Sequence, residues 1–380
     1  MDVRIFSPLT GAGTLEENQL GKIRPESVSF TENLTEPGSF SFSISGREPY
    51  TEVIRQGRLI WFRADGLSLW GILRGADERR EAASAPFSYS GDDLKGYLKQ
   101  RICLYGSGSD LEGYDTAQGS TETVLKHYVQ NNAVSPADPK RKIPGLSVAP
   151  DQQRGIPDDR YMARFQRLSD LLQDVSAAQE MGWKVEMDLA AGGMVMDVIA
   201  GADRTAGQSE RPRIILDADL HTAASSRFVS DSENYRNAFY TTKSGAAIEA
   251  EATTLLFFRE NDAEPEGGER FETQIEVDVD DDAEDIAGEM ENLARKEATN
   301  FERDDAFTVE LNGAYAYGKD FFLGDFVTIR DRVLGRQEDV QLVSATHSWT
   351  GLGYRLTGTF GKPRKSNLQI LERQIRTGGK

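Results

Sequence analysis

The chain has 380 residues, 38% hydrophobic and 28% charged, a length that suits two or three domains at roughly 150 residues each. Its formal net charge of -18 argues against a protein that grips nucleic acid, because such binding draws on Lys and Arg neutralising phosphates. Cys103 is the single cysteine, which excludes an intrachain disulfide and a Cys-based metal site within one chain.

The N-terminal MDVRIFSPLTG lacks a basic stretch followed by an apolar segment, and no run of roughly 18 apolar residues occurs anywhere. The expectation is a chain neither exported by a signal peptide nor inserted in a membrane. Val3, Ile5 and Phe6 predict a first strand. Phe40, Phe42 and Ile44 alternate with serines, the period of a half-buried strand. Leu59–Arg63 and Leu67–Leu73 flank Asp65-Gly66, which tolerates the positive φ of a tight hairpin turn. Short strands with regular turns over the first ninety residues predict a small barrel or sandwich.

From Gly91 the period changes. Short amphipathic helices are predicted after Asp92-Asp93 and after Ser120, the second through Val124, Leu125, Tyr128 and Val129. Five of the thirteen prolines fall between Ala133 and Arg160, which reads as an exposed loop. Phe165, Leu168, Leu171, Leu172, Val175, Ala178 and Met181 then recur at helical spacing, with Gly182 at the expected C-terminal cap. Trp183, Val185 and Met187 alternate into a Gly192-Gly193 turn, so a hairpin follows the helix.

Between Arg259 and Asp305, nineteen acidic residues face five basic ones, so most of the acidity is local. Asn261–Arg270 reads as a solvated loop and Phe271–Val279 as a strand. Asp280–Arg303 reads as a helix with Ile286, Met290, Leu293 and Phe301 inward and carboxylates at its positive end. Tyr315–Gly361 reads as three strands, with Gly324 marking a bulge or corner inside an apolar run. Ser366 and Gln369 fit a capping box ahead of a short basic C-terminal helix.

Chemistry has few candidates. His127, His221 and His347 are scattered, and no G-x-S-x-G or H-E-x-x-H motif accompanies them. Asp217, Asp219 and His221 form a D-x-D-x-H run that could ligate a metal, but an exposed strand edge explains it better. Asp278, Asp280 and Asp282 resemble a calcium loop with Ala283 where Gly is required, so helix-start acids are the preferred reading. Gly11-Ala12-Gly13 and Gly106-Ser107-Gly108 lack the third glycine of a phosphate loop and read as turns. Trp61, Trp70, Trp183 and Trp349 fall on predicted strands, which suits packing better than sugar stacking. No catalytic, cofactor or metal residue is assigned.

The segment Tyr317-Gly318-Lys319-Asp320-Phe321-Phe322-Leu323-Gly324-Asp325-Phe326-Val327-Thr328 resembles the Y-G-x-D-Y-x-L-G-D-x-V-T segment of the tail hub (baseplate hub) proteins of long-tailed bacteriophages and prophages. Thr359-Phe360-Gly361, Phe40-Ser41-Phe42, Phe87–Leu94, Leu98–Ile102, Gly201-Ala202-Asp203 and Tyr235-Arg236-Asn237 fall in that family's order, so the resemblance spans nearly the whole chain. It departs at Phe326, where a smaller aliphatic is usual, and in the acidic loop.

The resemblance implies an α+β, β-rich fold with two small β-barrel domains that form a tube-like ring in a homotrimer, plus an inserted α/β helix-hairpin region. The implied division is 1–91 as a first barrel with 203–230 as its candidate completion, and 92–202 as the α/β region with a Pro-rich loop at 133–160 and a helix-hairpin at 163–200. A second barrel follows at 231–365, with an acidic loop at 260–270 and a helix at 281–303, and then a basic tail at 366–380. Implied partners are the distal tail protein, the tape-measure protein and tail fibre or receptor-binding proteins, with DNA passing through at ejection without specific binding. The implied location is the distal end of the virion tail, and no cofactor or membrane insertion is implied. Leu323, Gly324, Asp325, Phe326, Trp349, Tyr354, Phe360 and Gly361 are the structural and interface candidates. A tail-associated peptidoglycan hydrolase or peptidase, or a receptor- or glycan-binding module, are the rival readings.

Overall fold

The alternating residues of the first ninety positions form the strands they predict, in a computed structural model that describes residues 1–10, 14–46, 48, 51–64, 66–78, 86–104, 113–157, 159–244, 254–259, 264–279, 286–298 and 301–361. Along the chain come β1 (Asp2–Phe6), β2 (Gln19–Ile23), β3 (Ser27–Asn33), β4 (Ser39–Ser45), β5 (Leu59–Ala64), β6 (Leu67–Asp77) and β7 (Pro86–Asp93). Their inward positions, among them Val3, Ile5, Phe30, Phe40, Phe42, Ile44 and Phe62, share one core. Burying a side chain of this size stabilises by about 1.5–3 kcal/mol. The predicted hairpin is present: Ala64 pairs with Leu67, and Gly66 has φ +85°. Asp65 lies outside the described residues.

The stretch after β7 is a 3-10 helix, Leu94–Gln100, in place of the expected amphipathic α-helix. Gly96 lies so close to Asp92 that a Cβ there would sit 2.4 Å from the Asp92 Cβ. After β8 (Asp115–Gly119), α1 (Thr121–Val129) starts at Ser120, whose side chain accepts from the Thr123 backbone N–H, and it buries Val124, Leu125, Tyr128 and Val129. The Pro-rich stretch is more ordered than a free loop: it contains β9 (Leu146–Val148) and buries Ile143 and Leu146 against the core that α1 enters. Strand β10 (Asp159–Ala163) pairs with β8.

Helix α2 (Leu168–Ala178) is shorter than its apolar pattern predicted. Phe165 stands outside it at φ +57° and 55% exposed. The cap is Glu180 at φ +50°, with Met181 N–H donating to Ser176 and Glu180 N–H to Ala177, the two bonds of a Schellman ending. Gly182 instead opens β11 (Gly182–Asp188), where a Cβ would meet Leu34 at 2.2 Å. Strand β12 (Gly193–Ile199) returns from the Gly192 turn, and the helix and hairpin share one core with Trp70 and α1.

The remaining elements are β13 (Ile215–Asp217), β14 (Ser225–Asp231), β15 (Ala238–Lys243), β16 (Thr254–Phe258), β17 (Glu272–Val277), α3 (Ile286–Ala298), β18 (Asp304–Leu311), β19 (Phe326–Asp331), β20 (Arg336–Thr350) and β21 (Gly353–Gly361). Contacts divide the chain into two units, Met1–Arg227 with Thr308–Phe360, and Phe228–Phe307 with Gly361–Lys380. In the second unit, β16-β15-β17 form a three-stranded sheet covered by Met290, Ala294 and Ala298 of α3, with Ile286, Leu293 and Phe301 packed against the same core. The acids at 280–285 and the segment 366–380 lie outside the described residues.

In the first unit the sheet order is β21-β20-β3-β4-β7-β6-β5-β1-β2. The chain is β-rich with few helices, as expected, but the two closed barrels are not found among the described residues. At one edge β2 pairs with β1 alone, and β20 hydrogen-bonds to β3. The reason lies in the pairing: β20 continues the sheet to β3 instead of closing with β19 and β21 alone, with a register shift between Leu342 and Ser344 and the Val343 carbonyl accepting from Leu34 N–H. Up to Gln341 β20 pairs with β19; from Leu342 it pairs with β21, and from Ser344 also with β3.

Candidate functional site

The Leu323-Gly324-Asp325 corner is built by hydrogen bonds, not by an apolar run alone. Gly324 has φ +92°, and a Cβ there would lie 2.7 Å from Ile199. Its N–H donates to Leu342, and Leu342 N–H donates back to Asp325. The buried Asp325 carboxylate accepts from Ala202 N–H at 2.8 Å, Arg204 Nε at 2.6 Å and Phe322 N–H at 3.0 Å. Gln341 Nε2 donates to the Gly324 and Glu180 carbonyls at 2.9 and 2.7 Å. Gly201 faces Gly324 so closely that a Cβ would sit 2.2 Å from its carbonyl oxygen. The corner therefore ties the segment after β12 to the β19–β20 hairpin.

Beyond the bulge lies a polar network. His347 has no exposed surface; its Nε2 is 2.9 Å from Glu32 Oε2 and its Nδ1 2.9 Å from the Tyr354 hydroxyl. Tyr317 donates to the same Glu32 oxygen at 3.1 Å. Burial, with Glu32 alongside, raises the Tyr317 phenol well above its ordinary range. Trp349 packs on His347 and Tyr354, with ring centroids 5.8 and 5.0 Å apart.

A second polar group fixes the turn after β3. Lys95 Nζ donates to the Asn33 carbonyl, to Leu34 at 3.3 Å and to Glu36 at 3.0 Å, and it lies 4.7 Å from the Trp183 ring. Burial pulls the Lys95 ammonium down to about 8 and pushes the Asp93 carboxyl up to about 6. Asp93 Oδ1 is buried without a hydrogen-bond partner.

The structure brings Leu323, Gly324, Asp325 and Phe326 together at the corner, and Trp349 and Tyr354 together around His347. Phe360 is fully buried within its own chain, and Gly361 has φ +86°. Asp217 ends β13 and is buried, and its carboxylate accepts from Asp219 and Leu220 N–H, so the D-x-D-x-H run is a strand end folded into a turn and not an exposed strand edge. Among the described residues, no group of three or more His, Cys, Asp and Glu could hold a metal ion, and no helix is long and apolar enough to cross a membrane. The four tryptophans do lie on strands. The glycine pairs at 11–13 and 106–108 and Asp280 and Asp282 fall outside the described residues. Sequence reading missed Glu32, Lys95 and Arg204, whose partners are remote or are backbone carbonyls that leave no local pattern.

The fold defined by these elements is that of prophage tail proteins. The 43 kDa tail protein of prophage MuSo2 from Shewanella oneidensis superposes at a TM-score of 0.62 and 14% identity, over 96% of this chain and 99% of that one. The tail protein from Neisseria meningitidis MC58 gives 0.55 and 13%, over 94% and 96%. Prophage tail protein gp18 from Listeria monocytogenes EGD-e gives 0.52 and 14%, over 100% of both chains. Residues 14–362 match the family described as siphovirus ReqiPepy6 Gp37-like protein, and the chain belongs to that family. No curated protein matches it.

Proposed function

We propose that the protein is a non-enzymatic structural component of a phage tail, acting as the tail-tip hub: a homotrimeric ring that continues the tail tube, holds the tape-measure end, anchors distal tail and fibre proteins, and lets DNA pass. The observation that carries this reading is end-to-end fold similarity to whole prophage tail proteins, 96% of one chain against 99% of the other. The local concentration of acid in 259–305 fits a passage that repels DNA. In this reading the corner at Leu323–Phe326 shapes the ring wall, and Tyr354, with 39% of its surface exposed, offers contact to a neighbour.

Electron microscopy of labelled virions tests it: three copies at the distal end of the tail are expected, and a label along the tail shaft or on the head would refute the hub. Light scattering on the concentrated protein with host tail partners reads the trimer separately. Clearing of purified cell walls by the protein, abolished by one carboxylate substitution, would favour the hydrolase instead.

A further inference from the structure

The segment that leads into α2 holds an aromatic side chain outward against its own backbone preference. Phe165 has φ +57°, a conformation that suits glycine and disfavours a side chain. Bonds from Phe165 N–H to the Cys103 carbonyl and from Cys103 N–H to the Gln166 carbonyl hold it there. The residue is 55% exposed, so packing within its own chain offsets little of that strain.

The surface around it is apolar and cationic. Ile102 is 43% exposed, Met162 53%, and Tyr114, just before β8, 37%. The β8–β10 ribbon buries Asp115, Ala117 and Ala163 on its other face. Arg164 lies over both rings, its Cζ 5.6 Å from Tyr114 and 5.4 Å from Phe165. Arg141 donates to the Ile102 carbonyl at 2.5 Å, and Arg101 to the Arg141 carbonyl at 2.6 Å. Among the described residues no carboxylate lies within ion-pair distance of these three guanidinium groups, although the chain has 62 acidic residues against 44 basic ones. Met, aromatic rings and Arg gathered in one exposed patch have the composition of a protein interface core. The unmatched positive charge selects an acidic partner. A nucleic acid fits less well, because Arg164 already covers the rings on which a base would stack, and Ile102 and Met162 offer it no polar contact.

We propose that Ile102, Tyr114, Met162, Arg164 and Phe165 form a docking surface for another protein, through a segment that presents carboxylates among apolar side chains. A carboxylate of that segment pairs with Arg164, with Arg101 and Arg141 adding positive field, and its apolar side chains cover Phe165 and Met162. The surface stands on this chemistry alone and holds whether or not the protein is the tail-tip hub.

The probe is a fluorescein-labelled peptide, Glu-Leu-Asp-Phe-Glu-Leu-Asp-Phe, titrated with the full chain and read by fluorescence anisotropy. Saturable binding is expected, weakened roughly tenfold or more by Arg164→Glu and by Phe165→Gly, as loss of an interface hot spot does. Phe165→Gly should keep the thermal unfolding midpoint of the parent or raise it, because glycine suits the backbone there. That variant therefore separates lost docking from lost folding. The same peptide with Gln and Asn in place of its acids should bind roughly tenfold more weakly or less still. No binding of the acidic peptide to the unaltered protein overturns the proposal, as does equal binding by both variants or by the neutral peptide. A labelled single-stranded oligonucleotide that binds more tightly than the peptide, and is released by the same two substitutions, would assign the surface to nucleic acid instead.

Discussion

Two buried ionic clusters in the first unit follow opposite rules. In the first, Glu122 and Asp197 face Lys126 and Arg154: Arg154 grips Glu122 at 2.8 and 2.9 Å and reaches Asp197 at 3.0 Å, and Lys126 bridges the same two carboxylates. Burial works against the Glu122 charge, yet its hydrogen bonds to Arg154 and Lys126 prevail and hold the carboxyl down at about 2. In the second, Asp93 and Lys95 are desolvated with too little return, so one rises to about 6 and the other falls to about 8. Charges taken from water stabilise a fold only where partners replace the lost hydration.

The largest expected effect comes from breaking the first cluster. Glu122→Gln leaves two cations sharing one carboxylate and should cost about 3–5 kcal/mol of unfolding free energy, read by urea denaturation at pH 7. It should also flatten the acid limb. Glu122 has a folded value of about 2 against an ordinary 4.5, so its stabilisation is fully present above pH 4.5 and is lost as pH falls through about 2. An unchanged acid limb in the variant would show that the quartet carries no pH-dependent stability.

A smaller loss is expected from Lys95→Met, which removes the charged donor shared by the Asn33, Leu34 and Glu36 carbonyls, while Leu34 keeps its bond from Trp183 N–H. Losing those bonds should cost about 2–4 kcal/mol, checked by thermal unfolding. Asp93→Asn should move stability least near pH 4, where the carboxyl is already protonated in the fold, and raise it at neutral pH, where the ionised form is disfavoured. The folded protein holds the Asp93 proton from its ordinary 3.8 up to about 6, so this residue makes stability fall as pH rises through that window. The variant should lose that slope, and chemical denaturation at pH 4, 5 and 6 measures it. Lys95, with a folded value of about 8 against 10.5, makes stability rise between those values.

The corner extends the contrast to the backbone. Gly324→Val places a β-branched residue at φ +92° and against Ile199, an expected loss of about 2–4 kcal/mol by the same denaturation assay. A variant as stable as the parent would remove the corner from any structural role.

Much of the local structure was legible because its cause is local. The alternation at Phe40, Phe42 and Ile44, the Asp65-Gly66 hairpin and the Ser120 cap each needed only neighbouring residues to read. Helix α2 was read in the right place and closed at the wrong residue. A glycine was expected at its left-handed cap position, but Glu180 holds it, while Gly182 was spared a side chain by Leu34 from the turn after β3. The Asp217 run misled in the same way, since alternation cannot tell a strand edge from a carboxylate folded back on its own turn.

By itself, the sequence determined the alternation of β4, the β5–β6 hairpin, the start of α1 and the corner at Gly324, because side-chain period and backbone freedom act within a few residues. Only the tertiary structure decided that β20 joins β3 past the register shift at Leu342–Ser344. It alone set Glu32 and Tyr354 on the two nitrogens of His347. Pairing across hundreds of residues depends on which edges and buried polar groups remain to be satisfied when the chain packs, and no local pattern records that.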